Sequence, residues 1–430
     1  MSHYRDWSDW SDWSVRVLSI LLVLCVASAR ADVEPSPVRL SGYGTLSYSW
    51  ENNPQLTPVR DMAQRPQGAL IHSADETWLM DSRLGLQAAY RHSPQVGALV
   101  QLLLHDQIKQ EADGIVELAY LDFQPSDRLR LRVGRVGFDG YLMSDHRNLG
   151  YAYAWMRPPT EFYGWLPIFG LDGADITHAW NTENVHWRLR AQAGSAKKWF
   201  PMGNTDFQFH GDSLWSLSMQ REEGPWRWKA GLSEFTNSAE IPNLAPLHAG
   251  LQALATVPIP AIASEATMLR REMRFGDVRV RYATLGAAYD NGTWLVQTEL
   301  GRSWAESAMA PVGSSTYLVI GRRLGAWTPY VMLGTSRPQE DALAPLNDWS
   351  VIGQRAFQTT AYQVVNSIRA DQTTLAVGTR WDAYPRVALK FQWENTRIAP
   401  MGYALWPRSL DVFYRSSQVN LFTVGMDFLF

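Results

Sequence analysis

Between Arg128 and Val133, charged and hydrocarbon side chains alternate without exception. Successive side chains of a β-strand lie on opposite faces, so Arg128, Arg130 and Arg132 share one face, and the leucines and Val133 share the other. A strand of this kind can lie in a soluble sheet with its arginines in bulk water. It can equally lie in a membrane barrel, with its arginines in a wet lumen and its leucines in lipid. The rest of the chain decides between these two folds.

The N-terminal region has the pattern of an export signal. An apolar run over residues 17–28 follows Arg16 and precedes Ala29-Arg-Ala31, the small-x-small pattern that a signal peptidase recognises. The run is too short to be a spanning helix. We predict a signal peptide over residues 1–31, cleaved after Ala31, and a single mature domain over residues 32–430.

The single cysteine, Cys25, lies inside that apolar run. The mature chain would therefore hold no disulfide, no thiolate nucleophile and no thiolate metal site. The formal net charge of −3 gives no indication of a nucleic-acid partner. No later segment is apolar over the roughly 20 residues that a spanning helix needs. A mature chain in a membrane would have to be a closed sheet, because only a barrel then satisfies every backbone group.

Sixteen segments of the mature chain have the composition and turn-bounded spacing of strands. They are residues 38–50, 78–91, 96–107, 114–124, 127–137, 174–180, 184–194, 213–221, 226–235, 277–289, 293–304, 315–324, 326–335, 373–381, 386–396 and 418–430. Short turns alternate with longer connections, which cover residues 51–77, 108–113, 138–173, 195–212, 236–276, 305–314, 336–372 and 397–417. Short turns on one rim and long loops on the other are typical of an outer-membrane barrel. We therefore predict an all-β, transmembrane, antiparallel up-and-down β-barrel of about 16 strands, with a short helix near residues 261–271.

The last predicted strand places Phe422, Val424, Met426, Phe428 and Phe430 on one face. An apolar strand at the end of a chain leaves an edge that is prone to aggregation unless it pairs with another strand. Pairing with the first strand would remove both edges and close the barrel.

The leader, the sixteen strands, the long third loop and the terminal Phe430 together resemble a Gram-negative outer-membrane porin of the sixteen-stranded general or substrate-selective type. Ser41-Gly-Tyr-Gly-Thr45 and Asp81-Ser-Arg-Leu-Gly-Leu86 are similar to the first and second strands of that family. Pro159-Thr-Glu-Phe-Tyr-Gly164 resembles its Pro-Glu-Phe-Gly loop motif. The resemblance implies a passive channel for small hydrophilic solutes in the outer membrane. Phe430 would then be the signal that the barrel assembly machinery reads.

In the porin family the third loop folds into the barrel and narrows the channel, and its acids face bases on the wall. Carried onto this sequence, the loop covers about residues 138–173, and its acids are Asp139, Asp145, Glu161 and Asp172. The resemblance and the alternation of the strands give the wall bases as Arg83, Arg128, Arg130, Arg132, Arg188, Arg190, Arg227, Lys229, Arg380, Arg386 and Lys390. Rings of Arg and Lys favour anions, so we predict anion preference. A homotrimer is implied, but the second loop, which latches subunits in general porins, is short here.

Two other functions remain open. A barrel with a plugged lumen could serve as a surface adhesin or a structural anchor, because long loops suit both uses. An outer-membrane hydrolase would need a nucleophile, a base and an orienting group, and no spacing in the chain links such residues. The histidines are scattered without metal-ligand spacing, so we expect no catalytic residues, metal or cofactor.

Overall fold

The computed structural model describes residues 37–64, 76–108, 111–202, 205–406 and 412–430. The predicted signal peptide lies outside these residues. Sixteen long strands form one closed antiparallel sheet, and a two-residue strand, Glu76–Thr77, pairs with the first of them. The strands are β1 (Val38–Glu51), β2 (Arg83–Arg91), β3 (Val96–His105), β4 (Val116–Ser126), β5 (Leu129–Gly137), β6 (Gly170–Thr182), β7 (Val185–Met202), β8 (Thr205–Glu223), β9 (Trp226–Asn237), β10 (Val278–Asp290), β11 (Trp294–Ala305), β12 (Gly313–Arg322), β13 (Trp327–Pro338), β14 (Ala370–Tyr384), β15 (Val387–Tyr403) and β16 (Ser417–Leu429).

The barrel closes where β1 pairs with β16. Tyr43 lies opposite Leu429, and beyond the end of β16 the backbones of Gly42 and Phe430 exchange two hydrogen bonds of 2.8 and 3.0 Å. The ring of Phe428 covers Gly44, where an added Cβ would come within 2.3 Å of a ring carbon. Glycine is therefore required there for the two strands to approach. The predicted closure of the last strand on the first is confirmed.

The outer face of the barrel is apolar. Leu40, Leu121 and Val133 are 77, 67 and 58 % exposed, and they alternate with inward side chains along their strands. Stacked tryptophans lie near the rim of short turns, with ring centroids 5.3 Å apart for Trp327 and Trp381. Leucine and valine suit the hydrocarbon region, and tryptophan suits its interface with water. The predicted transmembrane, up-and-down barrel is confirmed.

The connections are sorted as the sequence predicts. Short turns such as 127–128, 224–225 and 291–293 all lie on one rim, and the opposite rim carries the longer loops. Loop 1 covers residues 52–82, loop 2 106–115, loop 3 138–169, loop 5 238–277, loop 6 306–312, loop 7 339–369 and loop 8 404–416. The described parts of these loops hold five helices: α1 (Ala112–Ile115), α2 (Thr160–Tyr163), α3 (Ala245–Leu254), α4 (Pro260–Glu272) and α5 (Arg355–Val365). The helix predicted near residues 261–271 is confirmed as α4. Among the described residues, no helix is long and apolar enough to cross a membrane.

The prediction of a loop over residues 195–212 is wrong. Strands β7 and β8 continue through most of this segment and form a long hairpin beyond the rim. Phe200 lies opposite Phe207, and their rings are stacked at 5.6 Å. Cross-strand aromatic pairs stabilise a hairpin, and this contact extends the ladder past the barrel.

Loops 5 and 7 pack together into a helical cap, whose hydrophobic core includes Leu251, Leu269 and Trp349. Glu265 of α4 is buried inside this cap, and its carboxylate accepts hydrogen bonds of 2.5 Å from the Tyr362 hydroxyl and 3.1 Å from the Trp349 ring nitrogen. It also accepts bonds from Asn347 and from the backbone of Leu346. Burial raises the pKa of Glu265, but these donors outweigh burial and hold the pKa below its usual value. One carboxylate therefore joins loop 5 to loop 7.

Replacing Glu265 with Gln should loosen this cap. The amide presents its own donors to groups that are already donors, and an unsatisfied buried group costs about 1–3 kcal/mol. We expect amide hydrogen exchange in α3, α4 and α5 to quicken by about tenfold or more, because 1.4 kcal/mol corresponds to that factor. Glu272→Gln is the matched control, since within the described residues the Glu272 side chain bonds only its exposed neighbour Arg271. Unchanged exchange in Glu265→Gln would show that the carboxylate does not join the loops.

Candidate functional site

Loop 3 folds into the barrel and crosses the lumen from wall to wall. Its side chains and backbone bond to strands on every side of the barrel, namely β2, β4, β7, β8, β9, β10, β11, β14, β15 and β16. The predicted inward fold of the third loop is confirmed. The loop covers residues 138–169, so it ends four residues earlier than the predicted boundary at 173.

Asp139 anchors the start of the loop to the wall of β7–β9. Its carboxylate accepts hydrogen bonds of 2.6 Å from Lys229 and 2.6 Å from Ser218, and it lies 3.2 Å from the Arg190 guanidinium. Burial raises the pKa of Asp139, but the two cations outweigh burial and lower the pKa to about 2. Asp139 is therefore ionised throughout the physiological pH range.

Arg157 anchors the far part of the loop to the opposite wall. Its guanidinium lies between the carboxylates of Asp81 and Glu394, with Nη2 2.6 Å from Asp81 Oδ2, and it donates to the Thr423 hydroxyl at 2.7 Å. Arg157, Asp81 and Glu394 are all buried. Burial lowers the pKa of Arg157, but the two carboxylates outweigh burial and raise it. A bidentate arginine between carboxylates is among the stronger side-chain contacts.

Further polar contacts hold the loop between these two anchors. Lys390 of β15 donates to the carbonyls of Gly150 and Trp155 at 2.7 and 2.8 Å, and it pairs with Asp427 at 2.9 Å. Glu161 of α2 accepts a hydrogen bond of 2.6 Å from Gln372 of β14. Each contact satisfies a buried polar group, and together they fix the path of the loop across the lumen.

Aromatic side chains fill the space beside β10–β13. The Tyr141 ring lies 5.6 Å from Phe138, 5.8 Å from Phe162 and 5.9 Å from Tyr282 of the wall. Apolar side chains of the wall here are buried against these rings, as Val319 and Met332 show. This part of the lumen is a packed core, and not the polar wall that an open channel would have. This core does not follow from the sequence, because the side-chain pattern of β10 and β12 allows either face to point inward.

The predicted wall bases lie mostly inside the barrel, and most of them contact a partner. Arg132 donates from Nε and Nη2 to the two oxygens of Asp175, at 3.0 and 2.5 Å, and Arg130 donates to Asp122 at 2.6 Å. The other contacts are Arg83 with Tyr153 and the Asn148 carbonyl, Arg188 with Gln220 and Asp145, Arg190 with Asp139 and Asp145, and Arg380 with Asp382. Arg128 and Arg386 instead lie exposed in short turns, and Arg386 has a positive φ of 66°.

Three of the four predicted loop acids lie in loop 3. Asp139, Asp145 and Glu161 belong to it, whereas Asp172 lies in β6. Asp172 is three residues from the inward-facing Asp175, so its side chain is on the other face of the strand, where it pairs with Arg135 at 2.7 Å. Arg157 is not among the residues predicted from the sequence, because its partners are distant along the chain.

The sequence matches no protein-family model and no curated protein. Among solved structures, the fold is similar to that of OmpF of Salmonella typhi in complex with daunomycin. That match has a TM-score of 0.53 and 10 % identity, and it covers 91 % of this chain and 97 % of the other. OmpT of Vibrio cholerae, expressed in the outer membrane, matches with a TM-score of 0.51 and 12 % identity over 93 % of this chain and 99 % of the other. The chain has the fold of the sixteen-stranded outer-membrane porins.

Within this porin fold, loop 3 separates two cavities. One, of about 110 Å³, lies on the long-loop side among loop 1, loop 2 and β7. The other, of about 270 Å³, lies between loop 3 and the rim of short turns. We call the second the turn-side cavity. Among the described residues, no group of three or more His, Cys, Asp or Glu side chains is placed to hold a metal ion.

Replacing Arg157 with Gln should release the far part of loop 3. The substitution leaves Asp81 and Glu394 buried without a cation, and breaking a buried ion pair in this way costs about 3–5 kcal/mol. We expect faster proteolysis within residues 150–169 and a lower denaturant midpoint of the folded barrel. Arg128→Gln, in an exposed turn, is the control. If Arg157→Gln resisted proteolysis as well as the wild-type protein does, Arg157 would not be an anchor of loop 3.

Proposed function

We propose that this protein is an outer-membrane channel that passively conducts small hydrophilic solutes, and that loop 3 is its narrow region. The observation that carries this proposal is a loop crossing the lumen of a closed barrel, with a cavity on either side of it. The apolar outer face and the sorting of turns and loops support a place in the outer membrane, with the short turns toward the periplasm.

The alternative is a plugged barrel that acts as an adhesin or an anchor. The packed aromatic core around Tyr141 and Phe162 favours it, because this core closes one side of the lumen. In a channel, solutes would instead pass on the side where loop 3 meets the wall through polar and charged groups. Conductance separates the two functions, because a plugged anchor carries no current.

Single-channel recording in planar bilayers tests this choice. We expect the purified protein to give discrete conductance steps, and the double variant Tyr141→Ala, Phe162→Ala to give steps at least about twice as large, because removing both rings opens the packed side. Tyr414→Ala, exposed in loop 8, is the control and should leave the steps unchanged. Absence of steps in the wild-type protein would favour the plugged anchor.

The charges of the lumen are divided between two walls. On the side of β2–β9, acids are shared by two bases each: Asp122 contacts Arg91 and Arg130, Asp139 contacts Lys229 and Arg190, and Asp145 contacts Arg188 and Arg190. On the opposite side, Arg157 is shared by two acids, and Glu161 and Glu299 form no ion pair among the described residues. The excess of bases on one wall supports anion preference, since a lumen with low-dielectric walls focuses such a field.

Anion preference can be measured as the reversal potential in a salt gradient. We expect an anion-selective potential for the wild-type protein and a shift toward zero for Arg130→Gln and Arg188→Gln. Arg128→Gln, which removes an arginine exposed in a turn, should leave the potential unchanged. A cation-selective potential in the wild-type protein would contradict the proposed preference.

The remaining expectations concern export and assembly. We propose cleavage of a signal peptide after Ala31, and recognition of the terminal Phe430 by the barrel assembly machinery. Outer-membrane lipid would surround the barrel. A homotrimer is supported by OmpT of Vibrio cholerae, solved in a trimer form, which matches this chain with a TM-score of 0.50 and 12 % identity over 91 % of this chain and 99 % of the other. The proposed channel has no catalytic residue.

A further inference from the structure

The turn-side cavity combines several arginines with an apolar wall. Its charged lining comes from Arg227 of β9, Arg323 after β12 and Arg380 of β14, together with Asp290 and Asp382. Tyr153, Trp155 and Leu295 form the apolar part of the lining. These groups come from four strands, one short turn and loop 3, so the cavity exists only in the closed barrel with the loop in place.

Two of the three arginines are already neutralised inside the cavity. Arg323 bonds both oxygens of Asp290, at 2.5 and 2.7 Å. Arg380 donates to one oxygen of Asp382 from two nitrogens, at 2.9 and 2.7 Å. Each pair leaves a guanidinium held by a carboxylate, so neither pair adds a net charge to the cavity.

Arg227 is the uncompensated charge. It forms no ion pair within the part of the chain that the structure describes, and its buried Nε has no hydrogen-bond partner there. Arg227 lines the cavity, so an anion bound there can pair with its guanidinium and offset its charge. His146 adds no charge, because burial and the nearby Arg227 lower its pKa to about 4. The cavity therefore carries one net positive charge at neutral pH.

The apolar lining limits the kind of anion that fits. The Tyr153 and Trp155 rings are stacked at 5.6 Å with an interplanar angle of 22°, and both line the cavity. A flat hydrocarbon group can lie against this wall and against Leu295. A second negative charge on the ligand would face Asp290 and Asp382, and like charges at short range repel.

We propose that the turn-side cavity binds small planar monocarboxylates, above all aromatic ones, with the carboxylate on Arg227 and the ring toward Tyr153, Trp155 and Leu295. This inference rests on the proposed channel function and names its solute class. Guanidinium and carboxylate match in a planar, two-bond geometry, which a spherical halide cannot form. The ligand enters from the rim of short turns and meets loop 3 at the inner end of the cavity.

Benzoate is the probe, and block of single-channel current is the first readout. We expect benzoate added on the turn side to reduce the current at lower concentration than acetate, which lacks the ring, or phthalate, which carries a second charge. Neutral benzamide should not block at the same concentration. Arg227→Gln should raise the half-blocking concentration of benzoate about tenfold, which corresponds to 1.4 kcal/mol. Arg227→Lys keeps the charge and loses the two-bond geometry. Its half-blocking concentration of benzoate should lie between those of Arg227→Gln and the wild-type protein.

Arg128→Gln is the control for a general loss of positive charge. Benzoate should block this variant at the same concentration as the wild-type protein. Equal block by benzoate and benzamide, or an unchanged half-blocking concentration in Arg227→Gln, would overturn the inference. The second readout, quenching of tryptophan fluorescence by benzoate, does not depend on current. We expect quenching in the wild-type protein and in the control variant Trp304→Phe. We expect weaker quenching in Arg227→Gln and in Trp155→Phe. A protein that gave no conductance steps but showed this pattern would refute the channel and keep the site. Conductance steps with neither block by benzoate nor Arg227-dependent quenching would support the channel and refute the binding site.

Discussion

Closure of the sheet is the constraint on which the rest of the structure depends. In lipid every backbone N–H and C=O must find a partner within the protein, and a sheet meets this condition only when its first and last strands pair. Here residues 43–51 of β1 pair with residues 421–429 of β16, and the rings of Phe428 and Phe430 lie over Gly44 and Gly42. Closure then creates an interior that is lined by one face of every strand, and the sequence must fill that interior or leave it to water.

This chain fills much of the interior with loop 3, and buried charges determine how the loop lies. Burying Asp139 or Arg157 alone would be prohibitive, so each is surrounded by opposite charges from the wall. The two anchors lie on opposite walls, which stretches the loop across the lumen. The aromatic side chains between the anchors then pack against the apolar side of the barrel. The polar contacts determine position, and the apolar contacts exclude water on one side only.

Much of the fold could be predicted, because its signals are local. Alternation along β5 and turn residues such as those at 291–293 are read within a few positions, and all sixteen strands follow from them. The partners of Arg157 could not be predicted in this way, since Asp81 and Glu394 lie 76 and 237 residues away. Single arginines were misplaced for a simpler reason. Arg128 and Arg386 stand at strand ends, where a shift of one or two residues moves a side chain from the lumen to a turn.

The pairing of the wall charges changes what an arginine-rich lumen means. All eight predicted wall bases other than Arg128, Arg227 and Arg386 contact a carboxylate, a hydroxyl or a carbonyl, so their number alone does not set the field. The field that a solute meets comes from the charge that remains after ion pairing. That remainder is positive where acids are shared between bases, and it is positive at Arg227, which lines the turn-side cavity and forms no ion pair among the described residues. Selectivity in such a barrel therefore depends on a few unpaired groups, and the paired majority serves to hold loop 3 in place.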